Sequence, residues 1–223
     1  MTINQRARPG GRAIEGEAPQ AWPVEGATRA PVIDKREKIR EAAVLVFAQN
    51  GFYNSTVADV ARAADVADGT IYLYFKNKDD LLISIFEHSM EMFIGAAREE
   101  MKGGGSPRER LRKFIALHLE LVQKHQDLAQ VIQIELRQSS KFIKEYANEK
   151  FFEYLNIVQG IIEDGQREGL FNKSAHPSIL KRAFFGAIHE IASEWVLMKR
   201  KRYTMEEAVE QLSTVFIDGL AVK

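Results

Sequence analysis

From residue 34 onward, apolar side chains recur every three or four positions, and this spacing predicts helix after helix. The first, roughly Asp34 to Asn50, sets Ile39, Ala43, Val46 and Phe47 on one face and stops at Gly51. Thr56 with Asp59 three residues on is a capping box for a short helix that turns Val57, Val60 and Ala61 inward. Asp65 suits the left-handed conformation of a tight turn, and Val66 plugs the corner after it. A second short helix carries Ile71 and Phe75 on one face. Asn77 then caps a long helix from Lys78, striped by Leu81, Leu82, Ile85, Phe86, Met92 and Phe93, that runs to Gly103-Gly104-Gly105. Ser106-Pro107-Arg108-Glu109 opens the next helix. Further helices are expected near 107–124, 127–138, 140–168 and from Pro177 to about Lys201, with Thr204 to Glu207 capping a last one to about Leu220. No segment reads as a strand, so the expected fold class is all-α.

The pattern also divides the chain. Residues 1–33 hold Pro9, Gly10, Gly11, Pro19, Pro23 and Pro31 without apolar periodicity and read as a disordered arm. Residues 34–80 form a small N-terminal domain and 81–223 a larger helical one. The chain has no cysteine, which excludes disulfides and thiolate metal sites and fits a cytoplasmic protein. It also lacks an apolar run of about 18 residues, so no membrane span is expected.

Thirty-one basic residues balance thirty-one acidic ones, and the sum alone argues against nucleic acid as a partner. Their distribution reverses that impression. Lys35, Arg36, Lys38 and Arg40 precede the two short helices, and Lys76 and Lys78 follow them, near where a duplex would dock. Residues 51–80 read as a helix-turn-helix for double-stranded DNA. Candidate contacts are Lys35, Thr56, Asp68, Gly69, Thr70, Tyr72, Tyr74 and Lys78, with Lys78 and the free N–H groups of its helix start placed for a phosphate. The plainer reading makes Tyr72 and Tyr74 half-buried core aromatics; Phe75 is core in either case.

Ala48, Asn50-Gly51, Tyr53, Thr56, Val60-Ala61, Ala64, Val66, Gly69-Thr70-Ile71-Tyr72, Tyr74-Phe75-Lys76-Asn77-Lys78 and Leu81-Leu82 together resemble the DNA-binding domain of TetR-type repressors. Asp65, where such domains usually carry glycine, and Ala67, where they carry a capping Ser or Thr, depart from the pattern. Ala67 to Phe86, Gln133 with Glu135 to Ser139, Tyr154 to Val158, Phe185 to Glu190 and Trp195-Val196 are further similar to the FadR subgroup of fatty-acid-degradation repressors. That resemblance implies a homodimer released from its operator by long-chain acyl-CoA, with no cofactor and no enzymatic activity.

The larger domain supplies residues for both roles. Phe185, Trp195, Leu212 and Phe216 on the last two helices are expected at the interface between copies, the alternative being a self-contained core. An acyl chain needs a long apolar slot, which Phe86, Phe93, Phe114, Leu121, Ile132, Phe151, Leu155 and Phe184 could line. Arg137 and Lys141 are the candidate cations for the CoA phosphates, although Arg137 could equally pair with Glu135. His118 and His189 sit on apolar faces without a second ligand at metal spacing, and read as hydrogen-bonded pocket-wall residues. Two other readings compete: a sensor of drugs or other hydrophobic small molecules, and a helical CoA-binding enzyme. The enzyme is disfavoured because the chain shows no phosphate-cradling glycine loop, no Gly-x-Ser-x-Gly and no nucleophile beside a base.

Overall fold

The computed structural model describes residues 34–136 and 149–222. Within them the regular structure is helical, joined by loops, apart from one isolated bridge between Phe171 and Ala221. The arm at 1–33, the end of the expected helix at 127–138 and the start of the one expected at 140–168 lie outside the described residues.

Helix α1, Lys35–Asn50, starts where the Asp34 side chain accepts from Arg36 N and ends at Gly51, whose φ of 79° suits glycine. Helix α2, Val57–Ala63, carries the expected capping box: Thr56 Oγ1 accepts from Asp59 N at 3.1 Å and the Asp59 carboxylate accepts from Thr56 N at 2.9 Å. Asp65 has a φ of 51°, the one positive value among the described non-glycine residues, so the turn is made without glycine. Helix α3, Asp68–Tyr72, has no side-chain cap because Ala67 offers no acceptor. Buried Ile71 and Phe75 anchor it instead. Helix α4, Lys78–Lys102, is capped by Asn77, whose Oδ1 accepts from Asp80 N at 2.8 Å.

Two cores result. Ile39, Phe47, Val60 and Ile71 pack with Leu81, Leu82, Ile85 and Phe86 from the start of α4, so the N-terminal core extends past residue 80 into that helix. Val131 and Leu136 join it from a distant part of the chain. The second core draws Phe93 from α4 together with helices α5 (Pro107–Lys124), α7 (Glu149–Arg167), α8 (Pro177–Leu197) and α9 (Met205–Ser213). Between them, α6 (Gln126–Gln130) widens into a π-helical turn at Val131–Glu135. The expected uniform helix at 127–138 is thereby corrected.

Two other boundaries differ from the periodicity. Helix α8 stops at Leu197, short of Lys201 and before the four consecutive cations Lys199 to Arg202. Lys201 folds back instead, its ammonium donating to the Trp195 carbonyl and lying 4.5 Å from the Trp195 ring centre. Helix α9 gives way to a π turn at Thr214–Asp218, after which Leu220 O accepts from Asn172 N at 2.8 Å. The Phe171 ring sits 2.1 Å from where a Cβ on Gly165 would be, so only glycine lets α7 pass it.

Candidate functional site

The reading surface follows from how α3 is anchored. With Ile71 and Phe75 turned inward, Tyr72 is 58% exposed and Tyr74 36%, and Asp68 and Gly69 are exposed beside them. Thr70 is half-buried and Lys35 exposed. A Cβ on Gly69 would meet nothing within 4 Å, so this glycine leaves the outer face of α3 low without serving the fold. Thr56 is exposed, but its hydroxyl donates to Asp59 Oδ2 at 2.6 Å. These bonds hold the Asp59 carboxyl below its usual range, and Thr56 acts as a cap.

Lys78 is a correction. Its ammonium donates to Phe52 O at 2.6 Å, Ser55 O at 2.8 Å and Tyr53 O at 3.4 Å, and lies 4.4 Å from the Phe52 ring centre. All three donors of the lysine are used on the α1–α2 loop, so its ammonium braces the reading head instead of standing free for the phosphate expected from its position.

The same loop is held from the other side. Phe52 N donates to the buried carboxylate of Glu135 at 2.8 Å, and Gln130 Nε2 donates to Ala48 O at 2.7 Å. Thus an acid from the π turn holds the N–H of Phe52 while a base from α4 holds its carbonyl. Nothing in the helical periodicity signals this pairing, which spans 83 residues.

The expected slot lining converges between α4, α5, α7 and α8. Ring centres lie 5.3 Å apart for Phe93 and Phe114, 5.1 Å for Phe93 and Tyr154, and 5.9 Å for Phe114 and Phe184. Leu155 is fully buried among them and Leu121 half-buried at the margin. Phe151 bridges the two cores. Phe86 and Ile132 belong to the N-terminal core, which corrects their expected place with the other lining residues. Arg137 and Lys141 lie outside the described residues.

Two histidines give this wall its polar points. His118 Nδ1 is 3.2 Å from the Tyr154 hydroxyl, and burial pushes the imidazole down to about 4 and the phenol up, so both stay neutral. Ser193 Oγ is 3.2 Å from His189 Nδ1 and 3.3 Å from Gln133 Oε1. Gln133 belongs to the same π turn as Glu135, so a continuous line of contacts joins the slot wall to the reading head. Among the described residues no cluster of His, Asp and Glu could hold a metal ion.

Phe185, expected at the interface, is half-buried and packs within the protomer: its ring meets Phe151 at 4.7 Å and His189 at 5.2 Å. Trp195 is buried against Tyr203, and Phe216 packs on Phe184 at 5.1 Å, so both serve the protomer's own core; Leu212 is half-buried against it. What the last helices leave outside is a different stripe. Ile179 is 67% and Val215 64% exposed, and Ala183 and Gly186 lie open on α8.

A three-helix reading head braced on a larger helical domain is the architecture found in known regulators. Residues 39–85 match the profile of bacterial regulatory proteins of the tetR family, and residues 86–219 match the C-terminal region of YsiA-like proteins. The fatty acid metabolism regulator protein of Bacillus subtilis (strain 168) is 37% identical over 186 residues, 83% of this chain and 95% of that one. The chain belongs to the TetR family. Its structure superposes on that of FadR from Bacillus subtilis in complex with stearoyl-CoA with a TM-score of 0.76, at 37% identity, covering 82% of this chain and 98% of that one. It also superposes on FadR from Bacillus halodurans, a fatty acid degradation regulator, with a TM-score of 0.77, at 34% identity and 88% and 100% coverage. As a TetR-family member the chain is a DNA-binding regulator of transcription, and its relatives are regulators, not enzymes. Among the described residues no helix is long and apolar enough to cross a membrane.

Proposed function

We propose that the protein is a cytoplasmic, homodimeric repressor of fatty acid degradation genes that leaves its operator when a long-chain acyl-CoA occupies the aromatic slot. The observation that carries this reading is the line of contacts from the slot to the reading head, through His189, Ser193, Gln133, Glu135 and Phe52. A ligand that spreads the Phe93, Phe114 and Tyr154 rings pushes on α8 and the π turn, and the π turn holds the loop that sets α1 against α2. The bound stearoyl-CoA of the Bacillus subtilis relative supports the ligand class. Arg137 and Lys141 are the proposed partners of the CoA phosphates.

Two copies pair, on this reading, through the outer stripe of Ile179, Ala183, Gly186 and Val215. Small residues there allow close helix approach, and the two reading heads then address half-sites about one duplex turn or a multiple apart.

Ligand retention tests the proposal without DNA. The protein is incubated with an equimolar mixture of free CoA, palmitate, octanoyl-CoA and palmitoyl-CoA, and native mass spectrometry reads what stays bound. Retention of palmitoyl-CoA above the other three is expected. Equal retention of palmitate would remove the CoA half from the reading, and no retention of any would return the sensor of other hydrophobic molecules.

A further inference from the structure

Among the described residues, the aromatic cluster of Phe93, Phe114 and Tyr154 holds a buried ring nitrogen that the fold leaves without a partner. His118 Nε2 is buried and, among the described residues, has no hydrogen-bond partner, while the other ring nitrogen faces the Tyr154 hydroxyl at 3.2 Å. The ring is packed at its faces and edges by Phe93, with centres 5.4 Å apart, and by Tyr154, 5.9 Å away. A buried polar group without a partner is destabilising, and a fold keeps one when something else supplies the partner.

The chemistry of the pair sets which partner it needs. Where the Tyr154 O–H donates to His118 Nδ1, 3.2 Å away, the proton of the neutral ring sits on Nε2. The orphan is therefore an N–H donor in an aromatic wall, and it calls for a hydrogen-bond acceptor on an otherwise apolar ligand. His189 is the other titratable group facing His118, and its charge would oppose a charge there, which further keeps the ring neutral.

We infer that His118 Nε2 donates to the carbonyl oxygen of the acyl thioester, with Tyr154 as the residue that fixes the tautomer. This rests on the acyl-CoA reading and sharpens it. Along such a ligand the thioester carbonyl is the acceptor that adjoins the acyl tail, so a single donor set among phenylalanines fits its head.

The test compares palmitoyl-CoA with S-hexadecyl-CoA, the thioether that matches its length and lacks the carbonyl. Wild-type protein should bind the thioester about tenfold or more tightly, since the thioether leaves Nε2 unpaired. His118→Phe should bind both alike, at close to the wild-type affinity for the thioether, and Tyr154→Phe should shrink the preference. Equal binding of the two ligands by wild-type protein overturns the inference, as would happen if trapped water already satisfied the ring. That ligand comparison needs no variant, so a His118→Phe protein that fails to fold does not rescue the idea. If wild-type protein binds neither ligand, the acyl-CoA reading itself fails, and this subsite with it.

Discussion

Replacing Glu135 tests the joint between the two cores. Its carboxylate accepts from Phe52 N at 2.8 Å, with both residues buried, and the Lys78 ammonium holds the carbonyl of the same residue at 2.6 Å. A hydrogen bond to a charged group contributes about 1.5–3 kcal/mol, and Glu135→Leu also leaves the Phe52 N–H buried without an acceptor. A loss of about 2 kcal/mol should lower the melting temperature by about 4–8 °C in a protein of this size. Glu135→Gln keeps an acceptor and should cost about half as much. If the π turn transmits ligand binding, the same bond limits the coupling. About 2 kcal/mol corresponds to roughly a thirtyfold change in operator affinity on saturation with ligand, and Glu135→Leu should reduce that ratio toward one. The assays are thermal unfolding and operator binding with and without palmitoyl-CoA. A Glu135→Leu protein with wild-type melting temperature and wild-type ligand response would refute the role assigned to this joint.

The other residues make separable claims. Tyr72→Ala should weaken operator binding about tenfold without moving the melting temperature, because the side chain is 58% exposed on α3; equal affinity in a fluorescence titration would remove Tyr72 from the DNA contact. Lys78→Ala should instead lower the melting temperature, having lost three carbonyl partners, and a purely DNA-dependent defect would contradict its bracing role. Gly186→Glu, where a Cβ meets nothing within 4 Å of the protomer, should leave the fold intact and split the dimer in sedimentation velocity; a stable dimer would move the interface elsewhere. His118 is held neutral with its value pushed down to about 4, whereas the unfolded chain protonates near 6.5. Its contribution is therefore complete above pH 6.5 and lost as pH falls toward 4, by up to about 3 kcal/mol. Unfolding at pH 7.5 and 5 should show a smaller acid loss in His118→Phe than in wild type, with His88 and His125, both also lowered by burial, contributing to what remains.

Local chemistry made the reading head legible. Thr56 with Asp59, Asp65 in the turn, and Asn77 before α4 act through neighbours a few residues away, and each appears where its side chain dictates. Apolar spacing likewise placed Phe93, Phe114 and Phe184 inside. What it could not give was which inside face a residue meets. Phe185 and Gly186 are adjacent on α8, yet one ring closes on Phe151 while the other position lies open. Trp195 and Phe216 are apolar enough for an interface, but nearer partners, Tyr203 and Phe184, hold them in the protomer. Lys78 looked like a phosphate contact because its helix position suited one, whereas its reach along the side chain brings it to the α1–α2 loop carbonyls. Glu135 and Phe52 meet only because α6 lies across α1, a packing choice that no local pattern encodes.

The central claim is that one small-molecule class dissociates this protein from DNA. Fluorescence anisotropy of a labelled operator fragment, taken by footprinting from upstream of the chain's own or neighbouring genes, measures this when the complex is titrated with palmitoyl-CoA, free CoA and palmitate at equal concentrations. Release by palmitoyl-CoA, and by neither free CoA nor palmitate, is the expected result, because affinity needs both the buried acyl tail and the CoA phosphates. Retention of the complex at saturating palmitoyl-CoA, or release by palmitate at the same concentration, would contradict the account.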